Sequence, residues 1–390
     1  ARRSTTASIR RMSPPPCPNP RAADPAAAAT ESADGTGDAA ETAAPADDSA
    51  LRKRDCRILS VTVLLEDGTE IPASLVIMAV GIRPATQLAV EAGLEIGPTR
   101  AIAVNEQMQT SDPDIFAVGD CAEHPHLVTG TPVWMPGAAA ATIQGRAAAV
   151  NICGGSDEYP GTAGTIIIKL FDATIARTGL TSAQARESGF DPVRAIVSGP
   201  DRAHFVPHAE TILLAVIADR ATRRLLGAQG FGAGEVAKRI DVIATAIGLG
   251  ASVDALAHLS LSYAPPYAMA MDVEIAAANV LRNKLDGRFV GISPSALRES
   301  LVAQEPIELL DVRLPSEFNV VRLRGSKHVP LGALRSRLHE VPRERPIVLV
   351  CKVGLRSYEA SLILRAHGFE DVRVLDGGLD GWPYGLERLT

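Results

Sequence analysis

Aromatic residues are scarce, at 4% of a 390-residue chain, although 46% of the chain is hydrophobic. Apolar volume therefore comes mainly from Ala, Val, Ile and Leu, and the length suits two or three domains. Excess positive charge is also missing. A formal net charge of -6 argues against a nucleic-acid partner, because neutralising phosphates requires a basic face. The five cysteines (Cys17, Cys56, Cys121, Cys153 and Cys351) show no CxxC or regular spacing. Free thiols point to a reducing compartment, and we expect a cytoplasmic protein. No apolar run approaches the ~18 residues of a membrane span. The most apolar stretch, Val242 to Val253, is too short and contains Gly248 and Gly250.

Residues 1–50 form an island of composition. Arg2, Arg3, Arg10 and Arg11 lie among serines and threonines, with no acid before Asp24. That resembles a transit peptide, but Pro14-Pro15-Pro16 interrupts any amphipathic helix. An Ala/Asp/Glu-rich stretch follows with almost no large apolar residue. Such a segment cannot bury enough surface to offset its ordering entropy, so a disordered leader is expected. Strands are expected from Ile58 to Leu65 and from Ile71 to Val80, joined at Asp67-Gly68. A buried strand is expected at Ile115 to Val118, and helices at Leu88 to Ala92 and Ala138 to Cys153. The region 156–286 reads as mixed, with strands at Thr165 to Leu170 and Arg194 to Ser198 and a hairpin across Asp219-Arg220. Its helices are expected at Ser182 to Ser188, Glu235 to Leu249 and Val273 to Leu285.

A separate domain is expected over 292–390. Ser293 followed by Pro294 reads as an N-cap and first-turn proline. Strands at Ile307 to Val312, Ile347 to Val350 and Val372 to Leu375 alternate with helices, including one from Ser357 to His367. That pattern implies a parallel sheet with its working loops at the strand carboxyl ends. One of these loops carries the chemistry. Strand Ile347 to Val350 delivers Cys351 into Cys351-Lys352-Val353-Gly354-Leu355-Arg356. Gly354 lets backbone amides converge on an anionic sulfur, and Arg356 and the following helix add positive potential. An inert core thiol is the plain alternative for a cysteine after a buried strand.

The loop's company decides against that alternative. Leu310-Asp311-Val312-Arg313, Glu317-Phe318, Gly325 to Pro330, Cys351 to Ser357 and Leu375 to Trp382 together resemble a rhodanese domain along its whole length. Phosphatases of related fold carry one more residue between Cys and Arg, so the shorter count here is the sulfur-type one. The resemblance implies that Cys351 accepts a sulfane sulfur and passes it on. It also implies that Lys352, Val353, Gly354, Leu355 and Arg356 bind the anion, and that Asp311 and Arg313 hold the pocket floor and rim.

Upstream, Thr110 to Asp120 resembles the second flavin-contacting motif of pyridine nucleotide-disulfide oxidoreductases, and Ala79 to Pro84 another motif of that family. Gly161 to Leu180, and Tyr263-Ala264-Pro265-Pro266-Tyr267 with Asp272, resemble the start and end of its dimerisation domain. The set is most similar to the coenzyme A-disulfide reductase and NADH oxidase branch, particularly members fused to a rhodanese domain. The implied architecture is an α/β and α+β multidomain chain, with an FAD/NAD-binding remnant over 51–155 and a dimerisation domain over 156–286. A homodimer, FAD, NAD(P)H and coenzyme A as a thiol substrate are implied with it. Gly119 and Asp120 would contact the flavin, and Tyr263 or Tyr267 would reach a partner's redox site.

Departures from the family pattern bear on activity. The Gly-rich pyrophosphate loop, the redox cysteine and the Gly-rich nicotinamide loop are not found in this sequence. Gly35 to Ala40 formally fits GxGxxA, but acids surround it and no apolar strand precedes it. Cys121, His124 and His126 lack a second ligand pair, so no metal is expected. Cys56 and Cys153 replace no redox cysteine. The expectation is the C-terminal part of a flavin-dependent reductase whose sulfurtransferase half is competent. The alternative is a catalytically defective dimeric scaffold with a sulfur-binding module.

Overall fold

The computed structural model of the protein describes residues 7–10 and 61–389. Contacts divide the chain into two units, 1–82 and 83–390. In the first, β1 (Ala7–Arg10), β2 (Val61–Leu65) and β3 (Glu70–Ala73) form an antiparallel sheet in that order. Asp67-Gly68 makes the expected turn: Gly68 has φ 83°, and the Asp67 carboxylate accepts from the Thr69 amide at 2.9 Å. Two expectations need correction. The expected leader contributes β1, since pairing along a strand edge uses backbone groups and no apolar core; the rest of the leader lies outside the described residues, as do residues 58–60 of the first expected strand. The strand expected over Ile71 to Val80 stops at Ala73, leaving Leu75, Ile77, Met78 and Val80 exposed. Among the described residues β3 pairs with β2 alone.

The second unit opens with α1 (Gln87–Glu91), the short pair β4 (His124–Pro125) and β5 (Pro132–Val133), and α2 (Ala138–Ile152). Ile115 to Val118 is not a strand. It makes one isolated bridge, Gln109 with Phe116, and only Ala117 of the four is buried. A short apolar run fixes neither the backbone state nor the burial of its residues.

An antiparallel five-stranded sheet follows, in the order β6 (Ile166–Leu170), β7 (Ala173–Gly179), β10 (Leu225–Gly232), β9 (Thr211–Asp219), β8 (Pro192–Pro200). Helix α3 (Ser182–Glu187) precedes β8, its Thr181 cap accepting from the Gln184 amide. Helices α4 (Val236–Gly248), α5 (Val253–Ala257) and α6 (Val273–Leu285) complete the region. Alternation sorts the sheet's faces. Ile212, Leu214, Val216 and Ala228 join Val236, Ile240, Ile243 and Leu281 in the core. Ile168, Ile175, Phe231 and Leu213 fall in register across the opposite face, which holds an apolar cavity of about 380 Å³. Strand β7 was not expected from the sequence: Ala, Thr and Arg dilute its apolar pattern, so its signal is weak.

The C-terminal region has the expected parallel sheet. Its order is β11 (Gly291–Ile292), β16 (Val372–Leu375), β15 (Ile347–Val350), β12 (Glu308–Asp311), β14 (Lys327–His328). Helix α7 (Pro294–Val302) starts as expected, with Ser293 accepting from the Ala296 amide at 3.2 Å. The remaining elements are α8 (Pro315–Phe318), β13 (Val321–Arg322), α9 (Leu331–Leu334), α10 (Leu355–Ala366) and β17 (Glu387–Arg388). Strand β15 is central and buried along its whole length, as an all-apolar strand in a parallel sheet should be. No helix among the described residues is long and apolar enough to cross a membrane.

The two sheets are joined by specific contacts. Ser198, on the open face of the antiparallel sheet, donates its hydroxyl to the Gly377 carbonyl at 2.9 Å. From α6, the Lys284 ammonium bonds the Asp376 carboxylate at 2.7 Å and the Arg194 carbonyl at 2.8 Å. This pair is almost fully buried, so each charge depends on the other. Burial lowers the Lys284 pKa and raises that of Asp376.

Candidate functional site: a buried thiol at the end of a parallel strand

Cys351 sits where β15 ends, with its residue fully buried. Three residues later Gly354 adopts φ 103°, a conformation that glycine alone reaches without strain. This turn brings the Gly354 amide to donate to Cys351 Sγ at 3.1 Å. Helix α10 begins at Leu355, two residues before the expected start, so Leu355 and Arg356 belong to its first turn. The loop proper is Cys351 to Gly354. The thiol therefore faces the amide end of a 12-residue helix, where backbone partial charges favour an anion.

A second loop closes on the first. Leu379 and Asp380 donate their amides to the carbonyls of Cys351 and Lys352, at 2.9 and 3.0 Å. Gly378 makes that approach possible: a Cβ there would fall on the Lys352 carbonyl and within 2.7 Å of the Cys351 carbonyl oxygen.

Arg356, expected to supply positive charge at the loop's end, is itself paired with a carboxylate. Both of its terminal nitrogens bond Glu317, at 2.6 and 2.8 Å. Glu317 is fixed in turn at the start of α8, where it accepts from the Leu314 amide at 3.1 Å. The Arg356 hydrogen bonds hold the Glu317 carboxyl down at about 2, and the same bonds raise Arg356, with smaller contributions from the Cys351 and Asp311 charges. Both remain ionised at neutral pH. Asp311, at the end of β12, receives the Arg313 guanidinium at 2.7 to 3.0 Å, with both side chains buried. Arg313 also donates to the Val321 carbonyl at 2.6 Å. The pair is thus a buried brace between the end of β12 and β13.

Lys352 and Leu355 are exposed, and Val353 is half-buried. Tyr263 and Tyr267 stand apart from this loop, 56% and 71% exposed between α5 and α6.

Gly119 and Asp120 form a different place. Gly119, at φ 76°, donates its amide to Gln144 Oε1 at 2.7 Å. A Cβ at Gly119 would touch that of Ala141 on α2 at 3.4 Å. Exposed Asp120 accepts from the Gly137 amide at 3.0 Å, where the 15-residue α2 starts. The Asp120 carboxylate thus sits at the amide end of α2, where negative charge is favoured. Gln144 was missed from sequence because 25 residues separate it from Gly119. Cys121 donates to the Val118 carbonyl, His124 Nδ1 pairs with the Gln144 amide at 3.1 Å, and His126 Nδ1 accepts from the Val128 amide.

Three family models match successive parts of the chain: pyridine nucleotide-disulphide oxidoreductase over residues 43–142, its dimerisation domain over 166–274, and a rhodanese-like domain over 293–383. Segments that match pyridine nucleotide-disulphide oxidoreductase models are thus followed in this chain by one that matches a rhodanese-like domain. The first match begins inside the expected leader. An NAD(P)H sulfur oxidoreductase (CoA-dependent) of Pyrococcus furiosus is 41% identical over 222 residues, covering 57% of this chain and 50% of that protein. The structure of an NAD-dependent persulfide reductase from A. fulgidus matches with TM-score 0.75 and 46% identity, covering 83% of this chain and 58% of that one. Reduced CoADR-RHD of Bacillus anthracis matches with TM-score 0.75 and 37% identity, covering 82% and 57%. The chain spans about half the length of the curated relatives it matches. The multidomain fold expected from the sequence is thereby established. Both structural matches extend well beyond the 57% of the chain that the Pyrococcus protein covers.

Proposed function

We propose that the rhodanese domain is a sulfurtransferase working through a Cys351 persulfide, within an FAD- and NAD(P)H-dependent persulfide or coenzyme A-disulfide reductase. The carrying observation is the Gly354 amide at 3.1 Å from Cys351 Sγ, at a helix amide end. In the first step the thiolate attacks the outer sulfur of a sulfane donor such as thiosulfate. The donor's S–S bond breaks and its electron pair leaves with sulfite, so the charge on both sides is equal. The Gly354 amide and the α10 terminus stabilise the resulting anion, and Arg356 contributes charge while Glu317 fixes its direction. Lys352, Val353 and Leu355 line the loop, and Asp311 and Arg313 keep its floor rigid.

Gly119, Asp120 and the start of α2 would hold part of the flavin, with Gln144 locking the Gly119 backbone. Bound FAD supplies two-electron transfer from NAD(P)H to a disulfide or persulfide. The apolar open sheet face at β6 and β7, with Ile166, Ile168 and Ile175 exposed, supports a homodimer through which Tyr263 or Tyr267 would approach a partner's redox site. We place the enzyme in the cytoplasm, where its thiols stay reduced.

The test is persulfide-selective labelling of the full chain after incubation with thiosulfate. Wild type should label at Cys351, and Cys351→Ser should not. One observation favours the second reading, a dimeric scaffold with a sulfur-binding module: Cys351 is fully buried. Failure of the wild type to label would support that reading.

A further inference from the structure

A groove of about 320 Å³ opens beside the Cys351 loop, lined by Lys352 and Asp380 on one side and by Thr211, Leu213, Phe231 and Gly232 on the other. Its walls thus come from two different domains. The juxtaposition is held firmly by the Ser198–Gly377 hydrogen bond, by the Lys284–Asp376 pair, and by Ile196, whose methyl lies where a Gly377 Cβ would approach it at 3.1 Å. Lys352 follows the thiol directly, and the Asp380 amide bonds the Lys352 carbonyl. Both charged residues therefore adjoin the Cys351 loop, one in it and one bonded to its backbone.

We infer that this groove binds the sulfur acceptor, and that the acceptor is a small zwitterionic thiol carrying both an ammonium and a carboxylate. The inference rests on the sulfurtransferase reading and adds the acceptor's chemical class. Lys352 offers a cation and Asp380 an anion, and neither forms a charge pair within 4 Å among the described residues. Their combination suits a ligand that presents both signs. Burial raises the Asp380 carboxyl, with the Lys352 and Arg313 charges opposing it only in part. A ligand ammonium would complete that compensation. Leu213 and half-exposed Phe231 supply an apolar floor for the acceptor's aliphatic stem. The volume lies at the small end of ligand sites, suited to a compact molecule.

The transfer balances. The acceptor sulfur attacks the outer persulfide sulfur, and the bond from that sulfur to Cys351 breaks. Its electron pair returns to Cys351, and the acceptor's proton ends on the new persulfide.

The experiment loads full-length protein with thiosulfate, removes the donor, and measures the decay of the Cys351 persulfide with cysteine or with 3-mercaptopropionate. The second thiol lacks the ammonium. The ratio of the two rate constants in Asp380→Asn should fall about tenfold from wild type, the size of one charge-assisted contact. Lys352→Met should change the preference for cysteine over cysteamine, which lacks the carboxylate, by a similar factor. Rate constants are read on whatever fraction carries persulfide, so unchanged ratios in both variants would overturn the acceptor site while leaving sulfur transfer intact. Absence of persulfide on wild-type Cys351 would overturn the function and this site together.

Discussion

Replacing Glu317 by Gln removes one charge and little volume, and its consequence can be worked out from the Arg356 pair. The Glu317 carboxyl lies at about 2 in the folded chain against an ordinary value of 4.5. At 1.36 kcal/mol per unit, that gap corresponds to about 3 kcal/mol. The two side chains are 28% and 31% exposed, so water screening reduces the expected loss to about 1–2 kcal/mol. The sign follows from linkage. A carboxyl depressed on folding stabilises fully above its unfolded value, about 4.5, and loses that contribution as pH falls through about 2. The chain has two tryptophans, Trp134 and Trp382, so a Trp134→Phe background leaves Trp382 as the reporter inside the rhodanese core. Urea titrations followed by Trp382 fluorescence should show Glu317→Gln less stable by about 1–2 kcal/mol at pH 7. By pH 3 the difference should shrink to less than half. A penalty of equal size at both pH values, or none at pH 7, would refute the argument that this ion pair holds Arg356.

Gly378→Ala places a methyl against the Lys352 and Cys351 carbonyls at φ 61°, so the loop must shift; a loss of about 2–4 kcal/mol and much slower Cys351 labelling are expected, checked by denaturation and by timed labelling. Asp376→Asn strands the buried Lys284 ammonium and should cost about 3–5 kcal/mol in thermal unfolding, with most of the loss recovered when Lys284→Met is added. Glu274, buried and 3.8 Å from Arg239 Nε, is raised to about 7, first by burial and then by the Asp272 charge. A carboxyl raised on folding loses stability as pH climbs from about 4.5 to about 7. Glu274→Gln should therefore gain stability relative to wild type across that window, and a pH-independent difference would sink the assignment.

The regular elements of the C-terminal domain were legible because pattern and position agreed. Strands β15 and β16 have the expected bounds, and Ser293-Pro294 starts α7 where cap chemistry places it. The Cys351 loop was legible for the same reason: an apolar strand, a glycine and an arginine stand in a fixed short order. What the sequence hid were partners distant along the chain. Glu317 lies 39 residues from Arg356, and Lys284 lies 92 from Asp376. No local pattern pairs such residues; the fold does. The strand expected at Ile71 to Val80 failed for a related reason. Its apolar composition predicts burial, but the described residues give it no second ladder, and composition alone does not supply one.

The central claim is that Cys351 carries sulfur. Intact-protein mass measurement after brief exposure to thiosulfate, followed by gel filtration, tests it most directly. The account predicts a mass increase of one sulfur atom in wild type, localised to the Cys351 peptide, reversed by a thiol reductant and absent from Cys351→Ser. An unmodified wild type, or an equal increase in Cys351→Ser, would contradict it.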